Sequence, residues 1–287
     1  MSEHPPAVHS LPTVWINGRF LPAGEAHVSA FDRSFLYGDG LFATVRVARN
    51  RPFLWRDHWA RLLIGAHRLR IRLAPLQTEL EVGLAELLRR NDSPDSLLRV
   101  HVSRGPGRRG YSVRGADSPM VMISQHPLPS SPSGWRLVTA SVRLPLGDPL
   151  TAIKSANKLP HILARMEAED QGADAALLLN SAGEIAEADS ANLFWLAGDR
   201  LATPPIAAGA LGGVTRAWVL NHAAAETGLT AEETPAAPAA LQSADGVFVS
   251  LSSFGLVPVL SLDGHDLRQS GTIDRLLGRW RQSLQND

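Results

Sequence analysis

The chain has 287 residues, 28 basic and 28 acidic side chains, and no cysteine. That length is comfortable for two domains, and 44% hydrophobic with 20% charged residues is the balance of a globular protein with a sizeable core. Zero net charge argues against nucleic acid or an anionic membrane as partner, missing thiols exclude disulfides, cysteine nucleophiles and thiolate metal sites, and no apolar run approaches the roughly 18 residues of a membrane span.

Residues 1–13 are polar and proline-containing, lack the regions of a signal peptide, and read as a disordered tail on a cytoplasmic protein. Val14–Phe20 and Ala43–Ala48 read as antiparallel strands, with turns at Asn17-Gly18 and Asn50-Arg51. Asp57 is suited to cap a helix running to Arg70, with Leu62, Leu63, Ala66 and Leu69 on one face. A second helix is predicted over Gln77–Arg90, and strands over Leu97–Arg104 and Met120–Gln125. A proline- and serine-rich stretch then marks a linker over 128–134, between a smaller N-terminal α+β domain (14–127) and a larger C-terminal one (135–287).

Beyond the linker, Trp135–Arg143 reads as a strand, and Pro160 opens a helix that Gly172 ends. Short strands are predicted at Ala175–Leu179, Ile185–Glu187 and Asn192–Leu196. Gly209–Gly213 opens a helix over Thr215–Thr227, and strands at Gly246–Ser250 and Val257–Leu260 precede a closing helix over Ser270–Leu284. Hairpins with helices set among them predict two α+β domains and no parallel βαβ array.

One compositional bias carries chemical information. Of the 28 basic residues, 26 are arginine, and the only lysines are Lys154 and Lys158. Guanidinium stays protonated and cannot form an imine, so a lysine kept against that bias is a candidate for chemistry arginine cannot do. Two leftover surface lysines is the plainer alternative. Ser155–Lys158 matches the S-x-x-K of penicillin-binding enzymes, but no lysine remains for their K-T-G element. The glycine stretch before Thr215 lacks a P-loop ending, yet it brings backbone N–H groups and a hydroxyl to a helix start, which suits a phosphate. Glu187 stands beside an unusually polar stretch, Ala188–Asn192, and a buried carboxylate there would need a cationic partner. The ten histidines show no paired metal spacing.

These parts resemble a known pattern. Asp32–Phe42, His58–Leu62, Ile153–Leu159, Glu187–Phe194, Gly213–Arg216 and Phe248–Val259 occur in the order of the class IV (fold-type IV) aminotransferases. That family includes branched-chain and D-amino acid transaminases and 4-amino-4-deoxychorismate lyase. The resemblance implies an α+β, fold-type IV enzyme of two α/β domains with pyridoxal 5′-phosphate at their interface. It further implies a homodimer acting on a small-molecule amino substrate. By it Lys154 is the imine-forming lysine and proton carrier, and Glu187 is the carboxylate at the ring nitrogen. Arg61, Val214, Thr215 and Ser252 are phosphate ligands. Within the family, Ser103–Tyr111 and Ile153–Leu159 resemble the aminodeoxychorismate lyases, which release pyruvate and leave 4-aminobenzoate for folate synthesis. Thr44 then falls where those lyases carry a threonine for proton handling. Arg46, Arg109 and Tyr111 match substrate-carboxylate positions, and the last two also match positions of D-amino acid transaminases. A transaminase for D-amino acids or (R)-primary amines is therefore the alternative.

Overall fold

The computed structural model describes residues 12–286. The chain divides into two compact units, one running up to Pro129 and taking in Lys154–Asn157, the other comprising Ser130–Ile153 and Lys158–Asp287. The break at 129/130 falls in the proline-rich stretch. The second crossing was not expected from the sequence, because residues 135–287 do not form one uninterrupted unit.

The first unit contains β1 (Thr13–Ile16), β2 (Arg19–Pro22), α1 (Arg33–Tyr37), β3 (Gly40–Ala48), β4 (Arg51–Pro52), α2 (Trp55–Leu69), α3 (Gln77–Asn91), β5 (Ser96–Ser103) and β6 (Met120–Pro127). Its strands form one antiparallel sheet in the order β2-β1-β6-β5-β3-β4. Asn17 and Gly18 both adopt positive φ, as a two-residue hairpin turn requires. Leu41, Ala43, Val45 and Val47 of β3 are almost wholly buried. Helix α2 packs on β3, while α3 packs on β1 and β6, contributing buried Leu62, Ala66, Leu80, Leu84 and Leu87.

Three local expectations are corrected here. Strand β1 begins at Thr13, whose N–H reaches Asn91 Oδ1 at 3.0 Å; the rest of the expected tail, residues 1–11, lies outside the described residues. The second hairpin turns at Arg49-Asn50, both at positive φ, because Arg51 already pairs with Ala48. Leu54 and not Asp57 holds the cap position of α2. Asp57 sits in the first turn, where its charge favours the positive end of the helix dipole.

The second unit contains β7 (Trp135–Leu144), α4 (Leu159–Asp170), β8 (Ala175–Asn180), β9 (Ile185–Ala188), β10 (Asn192–Ala197), β11 (Arg200–Thr203), α5 (Val214–Trp218), α6 (Ala224–Glu226), β12 (Thr230–Glu233), α7 (Ala239–Ser243), β13 (Gly246–Leu251), β14 (Gly255–Leu262), β15 (His265–Asp266) and α8 (Gly271–Asn286). The sheet order is β12-β11-β10-β13-β14-β7-β8-β9, with β15 beside β14. The sheet is mixed, since β7 pairs in parallel with both β8 and β14, and β11 with β12. The sheet is not a parallel βαβ array, as expected, although β7-α4-β8 is one βαβ element within it. Every residue of β8 is buried, as in a strand covered on both faces. Ala164 and Ala168 of α4 join Val138, Ala140 and Leu178 in one apolar cluster.

The helix expected over Thr215–Thr227 starts at Val214. It is interrupted by a π-turn over Val219–Ala223 before resuming as α6. Phe194 and Phe248 stack at the sheet centre, their ring centres 5.0 Å apart and their planes 1° from parallel. Gly255, at φ +76, lies under Trp280 of α8, where a Cβ would fall 2.0 Å from the indole nitrogen. Only glycine permits so close a seat for the closing helix.

Candidate active site

Strand β4 covers only Val47 and Ala48 of one edge of β3. The other end of that edge is taken by the lysine segment. Phe42 N–H donates to the Lys154 carbonyl at 3.0 Å and Ala156 N–H to the Gly40 carbonyl at 2.8 Å, with Ser155 bridged to Leu41. Lys154 is thereby fixed by main-chain bonds, half-buried, with Nζ 4.6 Å from the centre of the Phe42 ring. The Arg99 guanidinium lies 3.5 Å from the same ring centre. Arg99 pairs with Thr44 across β3 and β5, so Thr44 shares the Phe42 face, about 7 Å along the strand.

Two cations around one aromatic ring call for an anion. Burial pulls Arg99 down to about 10, and it forms no ion pair among the described residues. A desolvated guanidinium without an acid is a ready carboxylate or phosphate site.

Arg61 and His58 form the neighbouring group on α2. Burial pulls Arg61 down to about 10. His58 is buried, and burial first, then the charges of Arg61 and Lys154, hold it well below the usual imidazole range. It is therefore neutral at pH 7, and its Nδ1 accepts from Arg61 Nη2 at 3.5 Å.

Three expected substrate residues are placed less simply. Arg46 is on β3, and burial lowers its pKa while Asp95, 3.0 Å away, acts against that. A substrate carboxylate would have to compete with Asp95. Arg109 and Tyr111 lie on the exposed loop joining β5 to β6, and Tyr111 is 88% exposed.

In the second unit Glu187 lies on β9, its side chain 9% exposed. Oε2 accepts from Leu211 N–H at 2.8 Å and from Asn192 Nδ2 at 3.5 Å, and Oε1 lies 3.0 Å from His161 Nε2. The carboxylate is oriented, and His161 is its only basic partner among the described residues. A protonated ring nitrogen is the kind of cation it lacks. Asn192 also donates to the Leu211 carbonyl at 2.7 Å and excludes any Cβ at Gly213, which would fall 2.1 Å from its Oδ1. Asn192 thus staples the turn into α5. Val214 and Thr215 are buried at the start of α5, and α5 packs on β13, whose chain continues into Ser252. Ser250 Oγ is buried with no hydrogen-bond partner among the described residues. An orphan hydroxyl close to a glycine-bounded helix start is what a phosphate site would leave.

The sequence reading missed Arg99, His58, Asn192 and His161. A charged residue at position 99, inside a strand of apolar residues, was the one available signal. Asn192 reaches Leu211 across 19 residues and His161 reaches Glu187 across 26, while His58 lies three residues from Arg61 on one helix. Lys158 holds the cap position of α4, its carbonyl accepting Ile162 N–H at 3.0 Å, a structural duty.

Comparison with known proteins identifies the family. Residues 40–262 match the family described as Amino-transferase class IV. A putative branched-chain-amino-acid aminotransferase of Methanocaldococcus jannaschii is 34% identical, over 92% of this chain and 93% of its own. The crystal structure of 4-amino-4-deoxychorismate lyase from Pseudomonas aeruginosa is also 34% identical, with a TM-score of 0.83, covering 94% of this chain and 98% of that one. The branched-chain aminotransferase of the archaeon Thermoproteus uzoniensis, solved with norvaline, is 26% identical, with a TM-score of 0.87 over 96% and 95% of the two chains. The chain belongs to the class IV aminotransferases, a family of pyridoxal 5′-phosphate enzymes.

Proposed function

We propose that this enzyme is a lyase that converts 4-amino-4-deoxychorismate to 4-aminobenzoate and pyruvate, with pyridoxal 5′-phosphate held by Lys154, Arg61, Glu187, Val214, Thr215 and Ser252. The observation that carries the reading is the placement of Thr44 on the Phe42 face of β3, the face that Lys154 Nζ approaches. When bound, the cofactor supplies an electron sink for the carbon from which a proton is lost.

The chain's own residues do the rest. Lys154 would hold the cofactor, and its Nζ, when free of it, would take the proton from the substrate carbon. The Thr44 hydroxyl serves the proton transfer that accompanies loss of pyruvate. Glu187, held by Leu211, Asn192 and His161, would keep the ring nitrogen protonated. Arg61, the Val214 and Thr215 backbone with the Thr215 hydroxyl, and Ser252 bind phosphate. Arg99, Arg46, Arg109 and Tyr111 supply carboxylate contacts. A protein that kept this fold only as a scaffold would have no need of Lys154, Glu187 and Arg61 together.

Arg61→Ala should weaken cofactor affinity far more than turnover at saturating cofactor. Charge-assisted contacts contribute about 1.5–3 kcal/mol each, which is roughly ten- to a hundredfold. An unchanged dissociation constant, measured by equilibrium dialysis, would mean the phosphate is bound elsewhere.

The transaminase reading draws on a relative named D-alanine aminotransferase, from Bacillus licheniformis, 30% identical over 95% of this chain. A lyase needs no keto-acid acceptor, whereas a transaminase stops after one half-reaction until one arrives. The purified enzyme should release pyruvate and 4-aminobenzoate from aminodeoxychorismate over many turnovers without added keto acid. Loss of the visible absorbance with D-alanine, recovery with 2-oxoglutarate and indifference to aminodeoxychorismate would replace the lyase by the transaminase.

A further inference from the structure

We infer that Arg33 is the positioning residue of the loop carrying Arg109 and Tyr111, and that through this loop it sets how tightly the substrate carboxylate is bound. The inference rests on the proposed role of Arg109 and Tyr111 for its second half only.

The loop fills residues 104–119 between β5 and β6 and contains no regular element beyond a single bridge. Unstructured connections of this length are uncommon in compact domains and are commonly functional. Its first residues are zipped to the turn before α1. Arg33 N–H donates to the Gly105 carbonyl at 3.0 Å, and Asp32 bridges Pro106. Ser103 Oγ donates to Asp32 Oδ1 and accepts from Gly105 N–H at 2.8 Å.

The next stretch is held by one side chain. The Arg33 guanidinium, 3% exposed, donates to the carbonyls of Gly110 at 2.9 Å and of Arg108 and Tyr111 at 3.4 Å. Its Nε is fixed by Asp39 Oδ2 at 2.9 Å. The same Asp39 accepts from Arg104 Nε at 2.7 Å and Nη2 at 2.9 Å, and Arg104 reaches on to the Leu69 carbonyl at the end of α2. Burial acts against ionisation of Asp39, but the two guanidiniums prevail and hold it below the usual carboxylate range. Tyr37 supports the fork from below, its ring 4.9 Å from the guanidinium carbon and its hydroxyl accepting Gly110 N–H at 3.1 Å. Gly107 lies so close to the Arg33 stem that a Cβ there would fall 2.9 Å from Cδ.

Every one of these loop contacts is to main chain. Arg33 therefore fixes where residues 108–111 run through their main chain, while the exposed Tyr111 ring also meets the Tyr37 ring edge-on at 5.8 Å, a ring that Tyr37→Phe keeps. A planar fork of donors is needed to reach three carbonyls and a carboxylate together; an ammonium group is a single point charge and cannot.

The test uses the cofactor-loaded enzyme. Arg33→Lys keeps the charge beside Asp39 and loses the fork, and Tyr37→Phe removes only the acceptor for Gly110 N–H, so one variant survives if the other fails to fold. Limited trypsin digestion with peptide mapping should show cleavage after Arg108, Arg109 and Arg114 accelerated about tenfold, the loss of one charge-assisted hydrogen bond, with cleavage elsewhere unchanged. KM for aminodeoxychorismate should rise about tenfold with little change in kcat, the signature of lost substrate binding. Adding Arg109→Ala to Arg33→Lys should cost much less than in wild type, since the two act as one unit. Unchanged loop cleavage in both variants overturns the inference, and so does faster cleavage with unaltered KM. If Arg109→Ala alone leaves KM unchanged, the substrate role of the loop is wrong; the cleavage rates still decide the clamp.

Discussion

Lys154→Arg should leave a folded, colourless protein with turnover reduced by about 10⁴-fold or more, the upper range for removing a general base. The substitution keeps a cation beside the Phe42 ring and disturbs none of the main-chain bonds that Lys154–Ala156 make to β3. What it removes is a nitrogen that can lose its proton, since guanidinium stays charged in proteins. The wild-type enzyme should be yellow, and borohydride should make the attachment permanent. Because Lys154 and Lys158 are the only lysines, peptide mapping has two possible outcomes. Label on Lys158 would sink the assignment.

Glu187→Gln should retain the cofactor and lose about 10²–10³-fold in kcat, the range for deleting one preorganised electrostatic contact. The side chain keeps its size, and its oxygen can still accept from Leu211 N–H and Asn192. Its NH₂ then faces His161 Nε2, which accepts it in the other ring tautomer. An amide no longer holds the ring nitrogen protonated, so the loss falls on chemistry and spares binding. Rapid-quench kinetics with aminodeoxychorismate would measure it. Turnover within a few-fold of wild type would mean the ring nitrogen has another partner.

The legible parts of this protein were those encoded locally. Alternation in β5 and β6 and helical periodicity in α2 and α3 are properties of consecutive residues, and their spans were read to within two residues. Lys154 stood out because arginine had replaced every other basic side chain but one. Helix α1 was not legible, because five residues carry too little periodicity; it is defined by Asp32 accepting from Ser34 N–H and by Gly38 at positive φ. The parallel pairing of β7 with β8 was missed because an apolar run does not say which neighbour it will find. Arg46 meeting Asp95 and Arg33 gripping three carbonyls depend on approaches across 49 and more than 70 residues. No local pattern records such encounters.

The chain leaves its first unit at Pro129, returns for Lys154–Asn157 and leaves again. Four residues embedded in the gene segment for one unit complete the sheet edge of the other. Exon shuffling or fusion at the proline-rich stretch would therefore inherit a first unit whose β3 edge is bare from Gly40 to Phe42, a template for pairing with foreign strands. Lys154 would travel with the other half, parted from the Phe42 ring beside it. Selection can trade the surface loops of this protein piecemeal, but its two halves have to be inherited together.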